Sequence, residues 1–332
     1  MKKNKKEAMF YEKKEGDTVQ CHLCPHNCVI NENQSGVCRV RVNKEGILYS
    51  ENYGEISSMG VDPIEKKPLY HFYPSQGILS LGTFGCNFMC KFCQNFRISQ
   101  QTPKTTFQTP DEIIEQAKKR NIMGIAYTYS EPMVWYEYVY ETAKKAHKEG
   151  LKNVLVTNGF INQKPLKQLS EYIDAANIDL KSFHNDFYKN LCGGRVEPVL
   201  ETIKYLEGET HLELTTLIVT DHNDEREELE ELFKWIADLN PDIPLHLSRY
   251  FPNYKMEDPA TPEKTMEEAY KLAKEHLNYV YIGNMRSQAG QNTYCPKCQT
   301  EVITRQYFKA ESHLKNGKCP ECGEKILDNY SK

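Results

Sequence analysis

The chain has 332 residues and a formal charge of −4 at neutral pH, with lysine and glutamate spread along its length. No concentrated basic face marks a nucleic-acid binder, and no stretch approaches the roughly 20 apolar residues of a membrane helix. The basic start, Met1-Lys2-Lys3, lacks the apolar run of a secretory signal, so a cytoplasmic protein is expected.

In chain order, residues 1–17 are rich in lysine and glutamate and read as a flexible tail. Residues 18–75 form a cysteine-rich module followed by a connector. Within it, residues 40–49 look like a short hairpin. Residues 62–72 are expected to serve as a lid or partner contact, or to pack their aromatics under the fold.

From residue 76 to 289 strands and helices alternate. Strands are predicted over 77–83, 124–129, 153–157, 175–181, 211–219, 244–250 and 279–283. A helix starts at Thr109-Pro110-Asp111-Glu112, with a cap, proline at the first helical position and glutamate at the third. Others are predicted over 133–147, 163–172, 197–207, 225–239 and 263–276. Repeated βα units require crossover connections and hence a parallel sheet. Six or seven units are too few for a closed eight-stranded barrel, so an open, partial barrel is expected. Residues 290–332 break the alternation and read as a small separate module.

Eleven of the twelve cysteines fall in three tight groups. With no export signal, such spacings point to metal ligands more than to disulfides. Cys86, Cys90 and Cys93 make C-x3-C-x2-C in a loop after an apolar strand. Three thiolates from one loop suit an iron–sulfur cube with one iron left open to bind a small molecule; a zinc knuckle or unrelated core thiols are the plainer alternatives. Cys295, Cys298, Cys319 and Cys322 form two C-x2-C knuckles separated by twenty residues, the pattern of a zinc ribbon, with iron as the alternative. Cys21, Cys24, Cys28 and Cys38 could hold zinc or an auxiliary iron–sulfur cluster, with His22 or His26 able to replace one thiolate. Cys192 stands alone and reads as a buried structural thiol.

C-x3-C-x2-C with Phe92 before the third cysteine resembles the radical S-adenosylmethionine (radical SAM) superfamily. The resemblance implies a partial (β/α)6-type TIM barrel, with small metal-binding modules at both ends. It also implies a [4Fe–4S] cluster whose open iron chelates the methionine moiety of S-adenosylmethionine, and reductive cleavage to a 5′-deoxyadenosyl radical. Four segments at predicted strand ends match the superfamily pattern. Tyr129-Ser130-Glu131-Pro132 stands where many members have Gly-Gly-Glu-Pro, with Glu131 facing the substrate ammonium. Thr157-Asn158-Gly159 is similar to a turn beside the cofactor in pyruvate formate-lyase activating enzymes. Asp179 and Lys181 share the inward face of their strand with Asn177, where Lys181 could pair with a ligand carboxylate. His246 matches a histidine near the cofactor, and Arg249 is a candidate contact for an anionic substrate.

Taken with Cys21-His22-Leu23-Cys24-Pro25-His26, residues 62–72 and Asn292-Thr293-Tyr294-Cys295, the chain closely resembles the radical SAM component of the AmmeMemoRadiSam system. That implies Memo-type and AMMECR-type partners and a low-potential electron donor such as flavodoxin or ferredoxin. The alternatives are an activating enzyme that makes a glycyl radical on a partner, and a metal-binding scaffold without catalysis.

Overall fold

A computed structural model describes residues 6–287, 289–306 and 308–328. Its centre is an eight-stranded sheet, numbered here β1 (Ser58–Pro63), β2 (Gly77–Gly82), β3 (Gly124–Tyr127), β4 (Lys152–Thr157), β5 (Ala175–Asp179), β6 (His211–Ile218), β7 (Leu245–Arg249) and β8 (Val280–Gly283). The strands lie in sequential order and the sheet is open, with β1 and β8 at its edges. From β2 to β8 every pairing is parallel. All seven predicted strands are present, and the open, partial barrel is the architecture found.

The added strand is β1, antiparallel to β2. It lies in the stretch read as a connector.

Six helices longer than five residues cross between the parallel strands. They are α1 (Pro110–Lys119), α2 (Tyr136–Lys148), α3 (Gln163–Ser170), α4 (Glu197–Glu207), α5 (Arg226–Leu239) and α6 (Glu263–Lys274). The α1 capping box forms as the sequence dictates: Glu112 N donates to Thr109 Oγ1 and Thr109 N to Glu112. The first turn before α2 is 3-10, over Pro132–Trp135, and is capped by Glu131, which accepts from Met133 N at 3.0 Å. Each helix buries its apolar stripe on the sheet; for α5 this is Leu229, Leu232, Phe233 and Ile236.

Residues 62–72 run from the sheet's edge to beneath it. Leu69, Tyr70, His71 and Phe72 are buried. The amides of Tyr70 and His71 donate to Glu213 at 2.9 and 2.7 Å, and Asn177 Nδ2 donates to Pro68 O at 2.8 Å. The aromatics therefore pack under the barrel, the second of the two expectations for this segment.

The tail expected over residues 1–17 is in part ordered. Lys6–Glu7 pairs with Tyr49 and Ser50, and Tyr11–Lys13 pairs with Val19–Cys21. Residues 1–5 lie outside the described residues. The hairpin forms as Arg41–Lys44 against Ile47–Ser50, turning at Glu45 and Gly46, both in the left-handed region. At the other end, Thr293–Tyr294, Glu301–Gln306 and Lys309–Ser312 make a three-stranded antiparallel sheet. Its buried Val302 and Ile303 share one apolar cluster with Tyr70, Tyr279 and Tyr281, so it sits against the barrel's lower edge.

Candidate active site

The loop after β2 carries Cys86, Cys90 and Cys93, and its shape is set by close packing. Gly85 has φ +90°; a Cβ there would meet Val40 Cγ1 at 2.5 Å and the Cys38 carbonyl at 2.9 Å. Glycine is required on both counts. A π-helical turn at Tyr188–Cys192 grips the loop from the other side. Met89 N donates to Cys192 O at 2.7 Å and Lys91 N to Leu191 O at 2.9 Å. Cys192 is buried, as expected, and its thiol is hydrogen-bonded to Cys90. That bond and burial push Cys90 well above the usual thiol range. Burial does the same to Cys86, and to a lesser degree Cys93.

All three cysteines line one cavity of about 330 Å³ at the carboxyl ends of the strands, within the size range of small-molecule sites. Seven of the eight predicted cofactor residues besides the cysteines frame its walls: Tyr129, Ser130, Glu131, Thr157, Asn158, Asp179 and Lys181.

Glu131 is buried and accepts three hydrogen bonds: from Thr157 Oγ1 at 2.6 Å, Asn158 N at 2.9 Å and Met133 N at 3.0 Å. Burial nevertheless pushes its carboxyl up to about 7. Asn158 Nδ2 donates to Asn87 Oδ1 at 2.8 Å, tying the β4 turn to the cysteine loop. Lys181 Nζ donates to Asp179 Oδ2 at 2.8 Å. Burial would lower this lysine, but Asp179 and the neighbouring thiols raise it well above its ordinary value, so it stays charged.

Tyr129 holds φ +69°, the left-handed region that glycine favours and that costs a bulky residue about 1–2 kcal/mol. Its hydroxyl donates to Asp62 Oδ2 at 2.6 Å, and Lys67 Nζ sits 4.5 Å from the ring centroid. Tyr129 is thus held in a glycine-like backbone conformation by its bond to Asp62 of β1. Lys67 also bonds Asp62, at 2.8 Å. Burial opposes ionisation of Asp62, yet the hydrogen bonds from Lys67, Tyr129 and Lys66 outweigh it and hold its carboxyl well below the usual range.

Two expected residues are elsewhere. His246 is the second residue of β7, at the amino end of the sheet. It is buried, and it bonds Glu213 at 2.7 Å while packing on Tyr70 and Tyr281. Ser248, one inward position higher, is the β7 residue that reaches the cavity. Arg249 is not a cavity residue either. Its guanidinium donates to Thr261 O at 2.7 Å and Glu263 Oε1 at 3.0 Å. Sequence reasoning missed Lys66, Lys67, Thr215, Leu217 and Ser248, all of which line the cavity. Strand alternation could have found Thr215 and Leu217, two residues apart on β6.

The donor set fits an iron–sulfur group. The three cysteines are unpaired by disulfides and face one space, as three thiolate ligands of one cluster must. Ser130 Oγ is buried on the cavity wall without a hydrogen-bond partner among the described residues.

The model of the radical SAM superfamily matches residues 81–236. An uncharacterized protein of Methanocaldococcus jannaschii is 46% identical over 331 residues, 97% of this chain and 98% of its own. The chain belongs to the radical SAM superfamily. Pyruvate formate-lyase 1-activating enzyme of Escherichia coli is 28% identical over 130 residues, 37% of this chain and 52% of that protein. A radical SAM methyltransferase from Sphaerobacter thermophilus shares the fold, with a TM-score of 0.51 at 13% identity over 85% of this chain and 78% of that one. Membership makes this a radical SAM enzyme and implies S-adenosylmethionine and an iron–sulfur cluster.

The C-terminal cysteines form a compact centre. Cys295, Cys298, Cys319 and Cys322 bring their sulfurs within 4.8 Å of one another. Among the described residues, no helix is long and apolar enough to cross a membrane.

Proposed function

We propose that this radical SAM enzyme reductively cleaves S-adenosylmethionine at a [4Fe–4S] cluster held by Cys86, Cys90 and Cys93, and abstracts hydrogen from a substrate at the barrel mouth. The carrying observation is convergence. Three thiols from one loop, a buried glutamate, an amide and a charged lysine from three strand ends line a single cavity.

The cluster, when bound, supplies the electron that opens the sulfonium and leaves the 5′-deoxyadenosyl radical. The chain's own residues bind and orient. Glu131, fixed by Thr157, Met133 and Asn158, offers its carboxylate to the ammonium of the methionine moiety. Lys181, kept charged by Asp179, offers a partner for a carboxylate. Ser130 Oγ, lacking a partner among the described residues, is free to bond the ligand. Phe88 and Phe92 supply apolar wall beside the thiols and exclude water.

The substrate on this reading is a small molecule or polypeptide of the protein's own system, with Memo-type and AMMECR-type partners and a flavodoxin or ferredoxin as donor. The similarity to a pyruvate formate-lyase activating enzyme supports a second reading, formation of a glycyl radical on a partner enzyme. Incubation with S-adenosylmethionine and dithionite without oxygen tests the common step: 5′-deoxyadenosine and methionine should accumulate, and their absence from cluster-loaded protein would sink it. A glycyl radical signal on a co-expressed partner separates the second reading from the first.

A further inference from the structure

Glu131, Ser130 and Lys181 serve S-adenosylmethionine in the proposed reaction. Lys66, Lys67, Thr215, Leu217 and Ser248 line the same cavity and have no part in that work. The two lysines follow β1. A 3-10 turn at Ile64–Lys66 fixes where they stand: Ile64 is fully buried, and Glu65 accepts from Ser75 N at 2.7 Å. Lys67 is only 2% exposed, although lysine ordinarily keeps its charged end in water.

Their counter-charge is incomplete. Lys67 Nζ donates to Asp62 Oδ2 at 2.8 Å, and Lys66 Nζ donates to Oδ1 of the same carboxylate at 3.1 Å. Two ammonium groups thus share one carboxylate, and one positive charge is left over. Lys181 differs, being matched one to one by Asp179. Both Lys66 and Lys67 are wall residues of the cavity and Asp62 is not, so an incoming ligand meets the ammonium groups. A buried ammonium with too little counter-charge is costly, and an anionic group in the cavity removes that cost. We propose that Lys66 and Lys67 seat a carboxylate or phosphate of a small-molecule substrate beside the cofactor.

Two hydroxyls elsewhere on the wall suit a polar guest. Ser248 Oγ accepts from Asn284 Nδ2 at 2.9 Å, which leaves its own proton to donate to a substrate oxygen. Thr215 Oγ1 donates to Asn177 Oδ1 at 2.9 Å and keeps a lone pair for a substrate hydroxyl. Arg249, the anion contact expected from the sequence, is engaged by Thr261 and Glu263 instead. The glycine of a partner enzyme's loop would bring only neutral amides and leave the surplus charge unmatched. A small anionic substrate matches it.

The anion seat rests on the radical reading of this cavity, yet its occupancy can be measured without turnover. Inorganic phosphate and malonate are the probes, titrated calorimetrically into the full chain, cluster-loaded without oxygen, saturated with S-adenosylmethionine and given no reductant. At least one probe should bind at a single site per chain, and the tighter of the two names the substrate's anionic group. Lys67→Met should weaken that probe at least about tenfold, while affinity for S-adenosylmethionine stays within about twofold of the parent chain. Lys66→Met, on a side chain 45% exposed, should weaken it about threefold and reads the same site should Lys67→Met fail to fold. A lysine that only braces Asp62 and Tyr129 would lower the thermal midpoint and leave probe affinity unchanged. That result overturns the seat, as does a parent chain that binds neither probe, or an equal loss of S-adenosylmethionine affinity. Deoxyadenosine formed by protein that binds neither probe sinks the seat alone; its absence sinks the radical reading, and the probe titrations are unaffected.

Discussion

Two side chains in the cavity carry charge states that the fold sets. Glu131 has a folded-state value of about 7 against an ordinary 4.5. A raised value means that the folded chain holds this proton more tightly. Its stabilisation is complete below about pH 4.5 and is lost as pH rises through about 7, a span of at most about 3 kcal/mol. The thermal midpoint of metal-loaded protein without S-adenosylmethionine should fall between about pH 5 and 8, and Glu131→Gln should flatten that slope. An identical slope in the variant locates the titration elsewhere. For Lys181, the expected result is on binding. Lys181→Ala should raise the dissociation constant for S-adenosylmethionine at least tenfold, about 1.4 kcal/mol, and unchanged affinity would remove its role. Both residues were legible in the sequence through the family resemblance of their segments, and Lys181 also through the alternation that sets it on one face with Asn177 and Asp179. His246 misled because the family resemblance put a histidine near the cofactor, while its position, second in β7, put it beside Glu213 at the other end of the strand. Tyr129 hid its left-handed backbone, since a tyrosine in sequence carries no such signal.

Among the elements, the seven parallel strands and their crossover helices were readable from apolar runs and capping residues alone. β1 was not. It alternates Met59 and Val61, both partly exposed, with Gly60 and Asp62, and it ends at Pro63, so no apolar run announces it. Its pairing with β2 is a tertiary fact. The C-terminal four-cysteine centre was legible from its knuckles, though its packing against the barrel was not. Its small core of Val302, Ile303, Ile326 and Leu327 is shared with Tyr70, Tyr279 and Tyr281, too little to fold alone without a metal. Chelation of that metal, or Cys319→Ser, should remove hydrogen-exchange protection from Glu301–Gln306 and Lys309–Ser312. Unaltered protection after metal loss would count against a structural ion.

On the scale of the whole molecule, the two ends of the sheet are finished differently. The amino end is closed by Tyr70 and His71 bonded to Glu213, and Arg305 of the C-terminal sheet fastens Tyr70 O at 2.8 Å. His71 is kept neutral there, its value lowered by burial to about 3. The carboxyl end is open, and Lys66 and Lys67 stand beside the cysteine loop. Small molecules and dissolved gas entering from this end reach the sulfurs through the same cavity, and a guest seated in it doubles as a stopper. Anoxic protein saturated with S-adenosylmethionine should therefore bleach several-fold more slowly in air than the same protein alone; matched bleaching rates would mean that oxygen has a back entrance.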